Sequence, residues 1–324
     1  MTDVGVDKMP NLETRPIIFL EPIFKEMIWG GKKLETEFNY KILSDNTGEC
    51  WAIAAHENGV SKIVCDEFKG YTLSKLWQEH RELFGNLKGD VFPLLVKIID
   101  AKKDLSIQVH PDDTYAQYYE NGSLGKTECW YVLDCEENTT IIIGHNAKDS
   151  LELRKMTEEN RWAELLREVK IKKGDFFQID PGCIHAIKGG TMILETQQNS
   201  DITYRLYDYD RVSADGKPRE LHTEKALAVI KSPFKMNNAD RNITEFGGYS
   251  RELLVKCPYY SVEKLTIREK AEILQEYNFM NVSVVEGCGM VDGKEIKKGT
   301  HFVLPYDYGF VEFTGKMELI ISYL

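Results

Sequence analysis

A chain of 324 residues with 42% hydrophobic and 29% charged side chains has the apolar content to fold, which excludes a disordered or fibrous protein. Its formal net charge of -11 excludes nucleic acid as a partner, because a phosphate backbone needs a basic face, yet leaves room for a small anion in a local basic pocket. No run approaches the roughly eighteen continuous apolar residues of a membrane-spanning helix, so no membrane partner is expected.

Residues 1–16 are polar and lack the apolar stretch of a secretory signal, and are expected to be a flexible N-terminus. Further along, Leu73, Leu76, Trp77, His80, Leu83 and Phe84 recur at helical spacing up to Gly85, which predicts a helix with His80 packed on its apolar face. Strands are predicted at 92–99, 105–109, 129–133 and 140–143 from runs rich in Val, Ile, Tyr and Phe between turn residues. Residues 148–169 predict a pair of helices with Trp162, Leu165, Leu166 and Val169 as an apolar stripe and Glu158 and Glu159 in solvent. Strands follow at 175–179, 192–196 and 202–207, then a third helix after Pro218 that turns Leu227 and Ile230 inward. The polar segment 231–248, with Pro233 and several Asn and Gly, predicts a linker. Beyond it come strands at 261–267, 278–285, 300–304 and 316–323. Strands so short and so closely spaced indicate a mainly β chain, a barrel or sandwich with a few added helices, rather than alternating βαβ units.

Three segments carry the chemistry. Gln108 and His110 stand two apart on a predicted strand that Pro111 stops, so both side chains point to one face. Lys126 and Glu128 share a face in the same way. In the third segment a strand beginning after Gly174 runs into Pro181-Gly182 and re-emerges at His185. Two imidazoles, a carboxylate and an amide oxygen make a mixed nitrogen and oxygen donor set with room for solvent or substrate, the pattern of a catalytic site for zinc or a similar divalent ion. Seven cysteines, an odd number with no C-x-x-C pair, read as reduced thiols, which makes the cytoplasm the expected address.

These segments resemble the metal signature of the cupin superfamily, with Gly174 leading through the Pro-Gly turn to His185. Two departures, Gln108-x-His110 in place of His-x-His and an acid as late as Glu128, are shared with the type I mannose-6-phosphate isomerases. The similarity extends from about Ile17 to Leu324. It takes in Trp29-Gly30-Gly31, Gly48-Glu49-Cys50-Trp51, the run from Ser106 to Asp112, Lys126-Thr127-Glu128, and Asn199-Ser200-Asp201-Ile202-Thr203-Tyr204-Arg205. The short interval between Glu128 and His185 matches short bacterial members that lack a full helical insertion.

The resemblance implies two cupin-type β-barrels of jelly-roll form, a catalytic unit over 17–240 and a C-terminal unit over 241–324. In the second unit Phe310 takes the place of a ligand histidine after Gly299, Pro305 and Gly309, so that barrel is expected to be free of metal and His301 to be structural or exposed. It further implies His110, Glu128, His185 and Gln108 as ligands of one Zn2+ per chain, with Gln108 the weakest. Arg205 and Lys126 match catalytic positions, Glu49, Glu195 and Asp201 match pocket positions, and Ser106 matches a position near the substrate phosphate. Ile187 stands where long members carry an aromatic residue. The implied reaction interconverts mannose 6-phosphate and fructose 6-phosphate through an enediol or enediolate, with Lys126, Glu195 and Asp201 as candidate proton carriers. An iron-dependent cupin oxygenase and a non-catalytic sugar-binding cupin are the alternatives; the fourth ligand with Lys126 and Arg205 suits an anionic sugar better than the first, and the intact ligand set speaks against the second.

Overall fold

The structure is a computed structural model that describes residues 15–212, 216–236 and 241–324. All but the end of the expected flexible N-terminus, and part of the expected linker, lie outside the described residues. Strands hold 46% of the described residues and helices 15%, as the dense short runs require.

Two antiparallel sheets form the first barrel. In the six-stranded sheet the order is Phe176–Ile179, Glu128–Cys135, Thr191–Gln198, Leu94–Ala101, Ile23–Gly31 and Thr47–Ile53. In the five-stranded sheet it is Leu166–Lys170, Thr140–His145, His185–Ile187, Ile107–Val109 and Tyr204–Tyr207. Trp130, Val132, Ile99 and Ile193 from the first sheet pack against Ile141, Ile143 and Ile187 from the second. The inner faces thus make a sandwich core in which side chains alternate in and out.

The second barrel is a ten-stranded sheet built around two long strands, Phe279–Val291 and Gly309–Tyr323. Strand Lys270–Gln275 alternates exposed and buried residues without a break, and its Ala271 and Ile273 join Val282, Val284, Phe302, Phe313 and Leu319 in a core drawn from this one sheet. A sheet that supplies both walls of its own core has curled on itself. A larger cluster unites the outer faces of the two barrels, with Val96, Ile98, Leu194 and Tyr131 against Ile18, Val262, Val303 and Ile320.

The sheets do not part at residue 240. Strand Ile18–Glu21 pairs antiparallel with His301–Pro305, with Ile18 opposite Val303, so the start of the catalytic segment is a strand of the C-terminal sheet. The segment 231–248 is not all linker either, since Asn242–Glu245 pairs with Tyr249–Lys256.

The helices are shorter than their apolar spacing suggests. Leu73–Glu79 is capped by the Thr72 side chain and gives way at His80 to a 3-10 turn, Arg81–Phe84. His80 is half-buried, beside Phe68 and Tyr71 and hydrogen-bonded to Glu82. Of the pair expected in 148–169, Ser150–Glu158 is a helix, but the second is the single turn Trp162–Leu165, and Leu166 and Val169 belong to a strand that pairs with Thr140–His145. The helix after Pro218 is Thr223–Val229.

His301 is buried, its Nδ1 on Ser283 Oγ at 2.9 Å and its Nε2 on Tyr40 Oη at 2.7 Å. It is a structural residue joining the two barrels. Phe310 is 66% exposed and opposite Leu274 on an outer face.

Candidate active site

Strand register brings the metal-ligand candidates together. His185 pairs with Gln108 in the five-stranded sheet, and Glu128 starts its strand in the facing sheet opposite Ile179 and Gln197. The turn before His185 needs Gly182, whose φ is 84°, and its N–H donates to the His110 carbonyl at 2.9 Å. A side chain there would strike the Val229 carbonyl. That one hydrogen bond fastens the two histidine-bearing segments to each other.

His110, Glu128 and His185 are buried and offer ligand atoms that all lie within 4.8 Å of one another. His110 Nδ1 donates to the Ile202 carbonyl at 2.8 Å and His185 Nδ1 to the Cys183 carbonyl at 3.0 Å. A carbonyl can only accept, so each ring carries its proton on Nδ1 and turns the Nε2 lone pair inward. The His110 lone pair accepts from Lys126 Nζ at 3.1 Å, and both lone pairs border Glu128, with His110 Nε2 at 3.3 Å from Oε2 and His185 Nε2 at 3.4 Å from Oε1. Among the described residues neither Glu128 oxygen accepts a hydrogen bond within good geometry, although Lys126 Nζ ion-pairs with Oε2 at 2.6 Å. Three acceptors converging on one buried point fit a divalent cation.

Burial pushes His110 down to about 3, with Lys126 adding to the effect, and burial lowers His185 as well. Burial would raise Glu128, but Lys126 and the imidazoles outweigh it and hold the carboxyl well below its usual range. Both imidazoles are therefore neutral and the carboxylate ionised at neutral pH, as ligation requires. Gln108 turns its amide nitrogen to His185 Nε2 at 3.3 Å and its oxygen toward Ser106 Oγ at 3.5 Å, so ligation by its oxygen requires the amide to turn over.

A cavity of about 390 Å³ opens beside this triad, and Glu49, Ser106, Gln108, Lys126, Glu195, Asp201 and Arg205 all line it. One transverse row of the six-stranded sheet supplies much of its wall, Trp130 opposite Glu195, Glu195 opposite Lys97, and Lys97 opposite Trp51. Trp130 Nε1 donates to Glu195 Oε1 at 3.1 Å, and Lys97 Nζ lies 3.5 Å from Oε2. Burial and the neighbouring Glu128 charge push Glu195 up to about 7, against the pull of Lys126 and Lys97. Burial would lower Lys126, but Glu128, Glu195 and Glu49 outweigh it and raise it, so its ammonium stays charged.

At the rim, Asp201 accepts from Asn58 Nδ2 at 2.5 Å and lies 3.5 Å from His56 Nε2. Glu49 accepts from Trp51 Nε1 at 2.7 Å. Arg205, cross-strand from Gln108, donates to the Glu220 carbonyl at 2.7 Å. Sequence reasoning passed over Lys25, Lys97 and Arg219, which also line the cavity. For Lys97 a signal existed, because a lysine inside the run Leu94-Leu95-Val96-Lys97-Ile98-Ile99 cannot be buried without a partner. A larger cavity of about 510 Å³, walled by Phe176, Phe177 and Phe234, contains none of the candidate ligands and carries no part of this chemistry.

The model of the phosphomannose isomerase type I catalytic domain matches residues 17–138, and that of the mannose-6-phosphate isomerase cupin domain matches 250–324. The chain is 50% identical over 317 residues to mannose-6-phosphate isomerase ManA of Bacillus subtilis (strain 168), covering 97% of this chain and all of that one. It is 45% identical over 310 residues to mannose-6-phosphate isomerase of Streptococcus mutans, covering 94% and 98%. A crystal structure of mannose 6-phosphate isomerase from Bacillus subtilis superposes with a TM-score of 0.94 at 47% identity, over 96% of this chain and 100% of that one.

Proposed function

The chain belongs to the type I mannose-6-phosphate isomerase family, and from that premise we propose how its own residues interconvert mannose 6-phosphate and fructose 6-phosphate. This aldose–ketose isomerisation moves hydrogen between C1 and C2, and its barrier is the weak acidity of a carbon beside a carbonyl or hydroxyl. His110, Glu128 and His185 hold the ion, zinc by the donor set, with Gln108 available as a fourth ligand once its amide turns over. When bound, such an ion polarises the oxygen at the reacting carbon and offsets the negative charge that develops there.

The carbonyls of Ile202 and Cys183 keep both imidazoles in the ligating tautomer. Glu195 carries the proton between the carbons, because its carboxyl is buried in the cavity wall and sits near neutrality, where it both takes and returns a proton. Lys126 stays protonated and therefore serves as a hydrogen-bond donor to the reacting oxygen, not as the base. Arg205 faces the same cavity and stabilises the developing oxyanion. Asp201 and Glu49 position the sugar hydroxyls from the rim, and Ser106 lies toward the phosphate.

In this reading the first barrel carries the site, and the second, built by 241–324 together with Ile18–Glu21 and Lys62–Ile63, is free of metal. The free cysteines support a cytoplasmic address. Among the described residues, no helix is long and apolar enough to cross a membrane. The convergence of His110, Glu128 and His185 is the observation that carries the proposal. A coupled assay of mannose 6-phosphate conversion with and without chelator tests it. Metal-loaded protein that binds the sugar phosphate without converting it sinks the reading.

A further inference from the structure

One cluster of charge remains that none of these steps uses. Asp208, 4% exposed, takes Arg211 and Arg219 together, with Arg219 Nε at 2.8 Å from one oxygen and the Arg219 and Arg211 terminal nitrogens at 2.5 Å from the other. Arg211 also donates to the Asp104 carbonyl, which ties this cluster to the segment that leads into Ser106. Arg205 stands beside them with its Nε buried and unpartnered among the described residues. Burial lowers Arg205 from its ordinary value, and of the neighbouring charges Arg219 lowers it most. Glu220, the second carboxylate that acts on Arg205, is 84% exposed in its side chain, so water screens it.

Among the described residues, three guanidiniums thus stand around one buried carboxylate, with exposed Glu220 the other that acts on Arg205. At the metal end of the cavity the cations are answered, Lys97 by Glu195 and Lys126 by Glu128. Among the described residues the guanidiniums therefore gather at the other end, in a chain whose net charge is -11. Arg205 and Arg219 both line the cavity shared with Ser106 and Gln108, and Arg205, opposite Gln108, is on the side toward the metal triad. A guanidinium already oriented by a two-nitrogen contact to a carboxylate gives up little freedom on meeting a phosphate, whose oxygens match its planar fork.

We propose that Arg219, held in place by Asp208, anchors the phosphate group of the substrate and sets the preference for a phosphorylated over a free sugar. The inference rests on the isomerase reading above. Arg219 touches the substrate, and Asp208 is a positioning residue that acts through it.

The experiment compares metal-loaded wild type with Arg219→Met, Arg219→Lys and Asp208→Asn, each checked for metal content and thermal melting. It measures KM and kcat for mannose 6-phosphate and the inhibition constant of inorganic phosphate. Arg219→Met raises both KM and the phosphate inhibition constant about tenfold or more. Arg219→Lys, which keeps the charge and loses the fork, falls between it and wild type. Asp208→Asn moves the phosphate inhibition constant in the same direction, which a merely structural role would not do at unchanged metal content. An unchanged phosphate inhibition constant in folded, metal-loaded Arg219→Met overturns the proposal, as does a fall confined to kcat. Should Arg219→Met fail to fold, Arg219→Lys with wild-type KM and wild-type phosphate inhibition overturns it equally. Wild type that shows no turnover would instead sink the isomerase reading, so the two failures are distinguishable.

Discussion

Glu128→Gln replaces one oxygen by nitrogen in a side chain with no solvent exposure, and so changes charge at almost constant shape. The carboxylate lies 2.6 Å from Lys126 Nζ, and at an effective dielectric constant near 20 such charges attract by about 6 kcal/mol. Much of that offsets desolvation. Removing one partner still costs about 3–5 kcal/mol, because Lys126 is left buried without its contact carboxylate. The variant also loses the only anionic ligand of the triad. In wild type, an ion present at a thousandfold excess over its Kd adds about 4 kcal/mol to the native state. That corresponds to about 8 °C in Tm at about 2 °C per kcal/mol, the low end for large domains. Chelator should therefore lower the wild-type Tm by about that amount, while Glu128→Gln melts lower from the outset and does not respond to chelator. Metal analysis after dialysis should find far less than one equivalent in the variant. A Glu128→Gln protein that keeps one equivalent and the wild-type response to chelator refutes the ligand assignment.

Arg205→Ala should lower kcat at unchanged metal content and fold, and steady-state kinetics with metal analysis checks it; an effect on KM alone would move Arg205 to the phosphate. In the metal-free protein His110 and His185 are depressed below their unfolded value of 6.5, so stability is full above that pH and falls as pH drops from 6.5 toward 3. Glu195, raised to about 7, acts with the opposite sign, its contribution present below 4.5 and lost as pH rises through 7, so melts of chelated Glu195→Gln expose the histidine slope, to which His301, pushed down by burial to about 3, adds. A Tm of that variant that stays level from pH 6.5 to 4 contradicts the neutral-imidazole assignment. Turnover of fructose 6-phosphate in heavy water should place deuterium at C2 of mannose 6-phosphate, read by NMR, whereas its complete absence favours hydride shift or a fully shielded base. Gly30→Ala should cost about 1–3 kcal/mol in thermal melts, because its Cβ would meet the Asn46 carbonyl at 2.3 Å and the Gly48 nitrogen at 2.5 Å, both backbone.

Much of the site was legible because it rests on local patterns. Gln108 with His110, and Lys126 with Glu128, are period-two pairs, and the Pro181-Gly182 turn before His185 is written in its own residues. Strand Ser261–Ile267 appears with its predicted bounds because β-branched Val262, Thr266 and Ile267 mark the run and the charged Arg268-Glu269-Lys270 ends it. Ile23–Gly31 and Thr47–Ile53 escaped because they mix charge with glycine and pair through shifts of register, which blur the alternation. Leu166 and Val169 fit a helical stripe, but pairing with Thr140–His145 decides their state, and that partner is not a neighbour in sequence. The roles of Lys97 and Arg219 share this cause, for each is defined by a carboxylate delivered by another segment, Glu195 and Asp208.

Strand Ile18–Glu21, clasped between Lys62–Ile63 and His301–Pro305, also has a meaning for synthesis in the cell. One of its two neighbours, His301–Pro305, is synthesised long after it, so Ile18 and Leu20, fully or nearly buried in the folded protein, stay only partly covered until that segment emerges. A nascent chain carrying an unfinished sheet edge is a target for chaperones and for pairing with other chains. A premature stop before residue 301 would therefore harm Ile18–Glu21 as well, leaving that strand without the partner that completes its pairing.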